Sequence, residues 1–537
     1  MNRLALRLGV LALPVWMAAQ VGAQQAPAPQ APASRVEQTA HKEAVPGARA
    51  AAHSAHPKPR AIATVRPRAL FGVFPVATRS DEARKLVEKS IDQYENVMLD
   101  DSVASAKQAT VRDPHFALAY AIWGYAANRN QPAPEAIKRA RALLPTATPD
   151  EQLLVNWLLN VQEANNLTAI NAMNDLRERF PGDKHVLYLT AEWLYFQQDY
   201  ARSRKMMERI LDIDPNFPPA LNMLGYSYVE TGDPDPEKAV SYLKRYASLE
   251  LNHPNPEDSL GEVLRFAGDD AGSIEHYSAA LKITPNFYSS NIGIADTRTL
   301  MGDYAGARAQ YDKVIAAATN PRDKLHAQFQ KALVYFWEGQ PEEGRKALHA
   351  TLDSARRLKE PYGQFEASLA LAQLSESNAS AIEQLTALAS SLEKPVAGMS
   401  EPDRNLSLGQ ALREVARYAA ANGQPEIAQD AISKLERWAA ITRDLIVENN
   451  YESARGFALF AQGDFANAVD ELTTDPHSPI ALQQLALGYE KLNAAAEAQT
   501  IRTRLKYQRS PTVEWYLVTH PAAAPKPAAA TTASATE

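Results

Sequence analysis

Side chains able to do covalent or metal chemistry are sparse in this 537-residue sequence and poorly spaced for it. There is no cysteine, which removes disulfides, thiol nucleophiles, cysteine-ligated zinc, iron–sulfur clusters and a lipid-modified cysteine together. The eleven histidines are scattered. His41, His53 and His56 fall in an Ala/Pro-rich stretch that gives a metal no rigid second shell. His276 and His326 fall singly on helical patterns. No His-Glu-x-x-His, P-loop, dinucleotide glycine fingerprint or Gly-x-Ser-x-Gly elbow occurs. Adjacent carboxylates do occur. Asp269-Asp270 sits at a turn, where capping of the next helix is the expected role. Glu342-Glu343 follows Pro341, where it complements a helix dipole. We therefore expect no catalytic residue, no metal site and no cofactor. What remains is recognition chemistry, aromatic rings beside carboxylates. Trp193, Tyr195 and Phe196 form one such group, expected to serve inter-helix packing before ligand contact.

The elements that hold these groups are read from an internal repeat. Asp199, Asp233, Asp269 and Asp303 recur at spacings of 34, 36 and 34 residues, the last three directly after Gly. Gly339, Gly423 and Gly463 mark weaker copies. A glycine there ends one helix in a left-handed conformation before the next begins. A small residue follows in each copy: Ser203, Ala239, Ser273, Ala307, Gly344, Ala428 and Ala468. Ala136 and Ala169 continue the series backwards. Four positions on comes a large one, Met173, Met207, Leu243, Tyr277, Tyr311, Leu348, Ile432 or Leu472, which helical periodicity places on the same face. Pro114, Pro181, Pro215 and Pro285 close units where proline stops a helix. Pro234-Asp235-Pro236 carries the two-residue insertion behind the 36-residue step. Each helical pair alone leaves an apolar face exposed, so the units must stack.

The pattern resembles the tetratricopeptide repeat, whose first helix carries Leu-Gly-x2-Tyr and whose second carries Ala-x3-Phe and a final Pro. Leu221-x2-Leu224-Gly225-x2-Tyr228 with Ala239 and Leu243 matches it best. Leu260-Gly261-x2-Leu264 with Ser273, Tyr277 and Pro285 follows, and Tyr120-x2-Trp123-Gly124 leads to Ala136 and Ala140 near the start. The resemblance covers about residues 85–510. It implies an all-α, right-handed superhelical solenoid of roughly 10–12 tetratricopeptide-like helical hairpins. Residues 350–420 lose clear turns, so irregularity is expected there, with Ala381 marking a hidden unit.

The resemblance also implies protein–protein contact through a concave surface lined by the first helices. Counting from the Leu-Gly pairs, Tyr188, Glu192 and Tyr195 should project inward. Asn222, Tyr226 and Glu230 follow in the next unit, then Asp258, Glu262 and Arg265, and then Asp296. Rings flanked by carboxylates suit an extended basic or mixed-charge peptide. The function expected is a non-catalytic envelope scaffold or adaptor binding a protein or peptide partner. The alternative is a helical-repeat receptor for a glycan or small ligand.

Domain limits follow from composition. Arg3, Arg7, the apolar run Leu8 to Ala19 and the small residues Val21-Gly22-Ala23 read as a signal peptide over residues 1–23, cleaved after Ala23. That places the protein in the periplasm or outside the cell with no transmembrane anchor. An uncleaved N-terminal anchor is the other reading. Residues 24–79 read as a disordered linker, because 24–69 hold 14 Ala, seven Pro and a net charge of +5. The solenoid is assigned to 80–510 and a second disordered tail to 511–537. The overall charge of −7 conceals an acidic body of −13 over residues 70–510. Phosphate repulsion from such a body excludes nucleic acid as the expected partner.

Overall fold

The computed structural model describes residues 73–521 apart from 128–132, 198, 230–233 and 475–477. Every long regular element among them is an α-helix, and the helices form twelve successive hairpins and one closing helix. The first four hairpins are α1 (Asp81–Glu95) with α2 (Leu99–Arg112), α3 (Ala117–Ala127) with α4 (Pro134–Leu143), α5 (Pro149–Gln162) with α6 (Asn166–Arg179), and α7 (Lys184–Phe196) with α8 (Tyr200–Ile213). The next four are α9 (Pro218–Ser227) with α10 (Pro236–Leu249), α11 (Asn255–Ala267) with α12 (Asp270–Ile283), α13 (Tyr288–Leu300) with α14 (Tyr304–Ala317), and α15 (Pro321–Trp337) with α16 (Pro341–Leu358). The last are α17 (Pro361–Gln373) with α18 (Asn378–Leu392), α19 (Glu401–Ala421) with α20 (Pro425–Thr442), α21 (Leu445–Ala461) with α22 (Phe465–Leu472), and α23 (Pro479–Lys491) with α24 (Ala495–Lys506). α25 (Val513–Thr519) ends the array.

Turn chemistry explains the hairpins. Gly268, Gly302, Gly339, Gly423 and Gly463 all adopt positive φ, between 69° and 87°, as the expected helix ends require. The aspartate that follows caps the next helix. Asp199, Asp269, Asp303 and Asp464 each accept a backbone N–H three residues on. Asp233 lies outside the described residues. In that unit Asp235 caps α10, with Pro236 at the first helical position.

The small-then-large register forms the core. Ser203, Ala239, Ser273, Ala307 and Ala468 are fully buried, and so are Met207, Leu243, Tyr311, Leu348 and Leu472. The close approach has no slack: a Cβ on Gly225 would lie 2.5 Å from Leu243 Cγ. We expect Ala307→Leu to overpack its hairpin and destabilise the protein by about 1–3 kcal/mol in a thermal melt. The same change at Ala50, in the stretch expected to be a linker, should leave the melt unchanged.

Three sequence expectations change. The 350–420 region is helical and continuous with its neighbours. Its helices vary in length, 13 residues for α17, 15 for α18 and 21 for α19, against 14 for α8, α10, α12 and α14. The turn inside its hairpin carries no glycine, because Leu374 closes α17 with φ −101° and Ser377 caps α18. Ala381 is fully buried on α18, as the hidden unit requires. The solenoid also runs past 510. Val513, Tyr516 and Leu517 of α25 join the C-terminal core, and Glu514 pairs with Arg413 and accepts from Ser478 at 2.7 Å. At the other end the packed chain begins before residue 80. Phe74 is buried against Phe180, and its N–H donates to Asp183 at 2.8 Å. The proposed signal peptide and residues 24–72 lie outside the described residues. No helix among those described is long and apolar enough to cross a membrane.

The array curls until distant units meet. Arg509 reaches Asp270 at 3.0 Å across 239 residues, and the Asn166 amide donates to the Arg443 carbonyl at 3.4 Å. Leu445 and Ile446, at the start of α21, pack on the cluster built by α7 to α11.

Candidate functional site: an acidic aromatic chamber

The stripe expected to face an open groove is mostly closed. Arg265 has no solvent-exposed surface. It donates to Glu262 at 3.1 Å on its own helix and to Asp296 of α13 at 3.0 Å. Asp296 also accepts from the Tyr311 hydroxyl of α14. Tyr226 of α9 donates to Glu262 at 2.9 Å, and Ser290 of α13 donates to Asp258 at 2.6 Å. Adjacent first helices therefore stand close enough for inner-face side chains to pair with each other, one unit apart. Opposite charges meeting at hydrogen-bond distance in a dry site hold each other there. Tyr195 is buried against Tyr200, with ring centroids 5.2 Å apart. Tyr195, Tyr226, Asp258, Glu262, Arg265 and Asp296 are thus interior groups, and their assignment to an open binding face is corrected. Glu230 lies outside the described residues.

The remaining three, Tyr188, Glu192 and Asn222, line a chamber of about 450 Å³ inside the curl. Its near wall comes from early units: Tyr94, Val97 and Asp100 at the α1–α2 corner, Tyr125 of α3, and Trp193 and Phe196 of α7. Its far wall comes from late ones: Arg322 of α15, Glu360 and Tyr362 at the start of α17, Asp403 of α19, and Asp444 and Ile446 at α21. The aromatic group of α7 thus divides, Tyr195 into packing and Trp193 with Phe196 onto the chamber.

Among the described residues, carboxylates dominate the charged part of the lining, with Asp100, Glu192, Glu360, Asp403 and Asp444 against the cation Arg322. Arg322 is engaged, lying 4.1 Å over the Tyr362 ring and 3.6 Å from Asp403. Glu360 and Asp444 cap α17 and α21. Glu192 differs, because its hydrogen bond comes from the neutral Tyr94 hydroxyl at 3.0 Å. Burial pushes its carboxyl up to about 8, and the nearby Glu95 adds to the rise against the Tyr94 bond. Asn222 is buried, and its Oδ1 has no hydrogen-bond partner among the described residues. Such an orphaned acceptor costs about 1–3 kcal/mol. Val97 holds φ at 63°, a left-handed conformation that a β-branched residue adopts only under strain.

One further cluster brings metal-ligating side-chain types together. Asp92, Glu95 and His185 place ligand atoms within 4.8 Å of one another. His185 Nδ1 lies 2.8–2.9 Å from both Glu95 oxygens, a complete hydrogen-bonded pair, while Asp92 is exposed. Burial opposes charge on His185, but the bond to Glu95 prevails and raises its pKa. His41, His53 and His56 lie outside the described residues. His276 meets Glu257 at 2.7 Å, and the buried His326 lies 4.0 Å from Glu366.

Stacked hairpins with a small-on-large contact and a curled inner face define an all-α helical-repeat solenoid. The tetratricopeptide repeat family model matches residues 185–216, which span α7 and α8. Residues 185–216 are thus a tetratricopeptide-type repeat. No curated protein matches the chain. Solved structures similar to it include yeast Tom70, at 14% identity over 78% of this chain and 96% of that one, with a TM-score of 0.39. A tetratricopeptide repeat protein from Parabacteroides merdae shares 14% identity over 51% of this chain and 93% of its own, at a TM-score of 0.33. YrrB, a TPR protein described as having an unusual peptide-binding site, shares 15% over 34% and 92%, at 0.26.

Proposed function

We propose that the protein is a non-catalytic scaffold of the cell envelope that holds a protein or peptide partner at the chamber inside its solenoid. The observation that carries this reading is the chamber's lining. Aromatic rings and an excess of carboxylates converge from units as far apart as Tyr94 and Ile446. Rings supply apolar area and cation–π attraction, and carboxylates steer a basic partner. The test is capture of envelope proteins by the mature chain. Trp193→Ala, which removes a half-buried ring from the chamber wall, should abolish capture while the fold is kept. Capture should weaken as salt rises, because exposed charges are screened beyond ~8–10 Å. Full capture by Trp193→Ala at low salt would move the site elsewhere.

The envelope location rests on the N-terminal sequence. N-terminal sequencing of exported material should begin at Gln24; a cytoplasmic chain beginning at Met1 overturns it. One observation favours the second reading, a receptor for a small ligand or glycan. At about 450 Å³ the chamber has the size of a small-molecule site rather than of a long peptide groove.

A further inference from the structure

We propose that the chamber wall between α1, α7 and α9 is a subsite for one donor-bearing organic cation, an alkylammonium or guanidinium head, with Glu192 as counter-ion and Asn222 Oδ1 as second acceptor. This deepens the proposed function and rests on it, since it names the chemical group that the chamber takes.

The argument begins with what the wall presents. Glu192 and Asn222 sit on adjacent first helices and line the same chamber. A carboxylate only accepts hydrogen bonds once ionised, and the orphaned Asn222 Oδ1 only accepts. Glu192 has one donor, the Tyr94 hydroxyl at 3.0 Å, and Asn222 Oδ1 has none among the described residues, so the remaining acceptor capacity calls for a ligand rich in N–H. The rings of Tyr94, Tyr125 and Tyr188 line the same wall, and Tyr94 and Tyr125 lie 5.1 Å apart. Ring faces attract cations and discriminate against anions. Arg322, the one basic side chain among the described lining residues, comes from a late unit and is already engaged with Tyr362 and Asp403. Among the described residues, no lining cation therefore pairs with Glu192.

The protonation state of the empty chamber fits this occupant. The groups that face Glu192 are Tyr94 and Glu95 from α1, Tyr125 from α3 and Tyr188 from α7, none of them a cation. Burial holds the Glu192 proton on at neutral pH. An arriving cation favours the ionised form, so the O–H bond breaks, the proton leaves to solvent and the carboxylate stays as the counter-ion. Binding near neutral pH therefore releases protons, and affinity rises with pH towards about 8.

Calorimetric titration of the full chain tests the inference. The probes are agmatine, acetyl-Gly-Arg-Gly-amide and the same peptide with citrulline in place of arginine. Buffers of different ionisation enthalpy report the protons released. We expect both guanidinium probes to bind with release of up to about one proton near pH 7. Glu192→Gln keeps the shape and the Tyr94 contact, and should weaken both by roughly tenfold or more and abolish the release. Binding of agmatine alone supports the cation site with a free amine as its source. Absence of binding by either guanidinium probe up to about 10 mM overturns the inference, as does an unchanged affinity in Glu192→Gln. Equal binding of the citrulline peptide also overturns it. The partner reading is judged separately: capture lost in Trp193→Ala but retained in Glu192→Gln leaves the scaffold standing without the cation site.

Discussion

Tyr226→Ala combined with Glu262→Lys should unfold the central units. The inner stripe expected from sequence implies a different outcome, lost partner capture with an unchanged melting temperature. The structure reverses it because neither side chain faces a groove. Tyr226 donates to Glu262 at 2.9 Å, Glu262 holds Arg265 at 3.1 Å, and Arg265 is fully buried. The double variant removes the ring and its hydroxyl and sets a second cation beside the guanidinium. Of the two carboxylates paired with Arg265 among the described residues, Asp296 at 3.0 Å then remains. Breaking a buried pair by removing one partner costs about 3–5 kcal/mol, and losing a buried aromatic side chain costs a similar amount. The two effects share contacts, so their sum will not be additive. In a stacked array the damage passes to neighbouring units, since each depends on the next. Circular dichroism melts should show a large fall in melting temperature or loss of the transition. A melt like that of the native chain would mean that the network is open to solvent. Glu262→Gln, which keeps the Tyr226 acceptor without reversing charge, should be markedly milder.

The second large effect is a loss of stability on raising pH. Burial pushes Glu192 and Asp258 up to about 8 each, from ordinary values of 4.5 and 3.8. Asp258 is faced by Ser290, whose hydrogen bond opposes the rise, by Glu262, which adds to it, and by Arg265, which lowers it. A folded-state value above the unfolded one means that the folded chain holds the proton longer. The stabilisation is complete below the unfolded value and is lost as pH climbs to the folded value. For these two carboxyls the window runs from 3.8 or 4.5 to about 8. Within it each group lowers stability by at most about 1.4 kcal/mol per pH unit. Burial also raises Asp323 and Glu366 to about 7, so they act in the same direction. Melting temperature should therefore fall between about pH 5 and pH 8. Glu192→Gln with Asp258→Asn should flatten that slope and make the variant more stable than the native chain near pH 8. A native melting temperature that rises across the window would show that these carboxyls are ionised and solvated.

How far the molecule was legible in advance depends on the range of each interaction. The Gly-Asp turns, the small-then-large register and the number of hairpins are settled within about 34 residues of chain. Ala307 and Tyr311 could be assigned to the core because they share a helix face four residues apart. The turn between α17 and α18 could not be read, since Leu374 to Ser377 hold neither glycine nor aspartate. Nor could α25, whose Val513, Tyr516 and Leu517 are too few to show a period.

The inward stripe shows where the sequence runs out. Periodicity put Tyr226, Glu262 and Arg265 in register on neighbouring first helices. It could not say whether those side chains would meet solvent or another helix. That depends on the separation of neighbouring first helices, which side chains from two units decide together. Tyr226 meets Glu262 across 36 residues, and Arg265 meets Asp296 across 31. The chamber is more remote still. Nothing near Glu192 in sequence points to Arg322, Asp403 or Ile446. These residues share a cavity because small rotations between successive units accumulate until the array closes on itself. The sequence alone thus determined the helical hairpin, its register and its repetition, all short-range consequences of backbone and side-chain periodicity. The curvature of the stack, and with it which acids are buried and which face the chamber, was decided only by packing summed over the whole array.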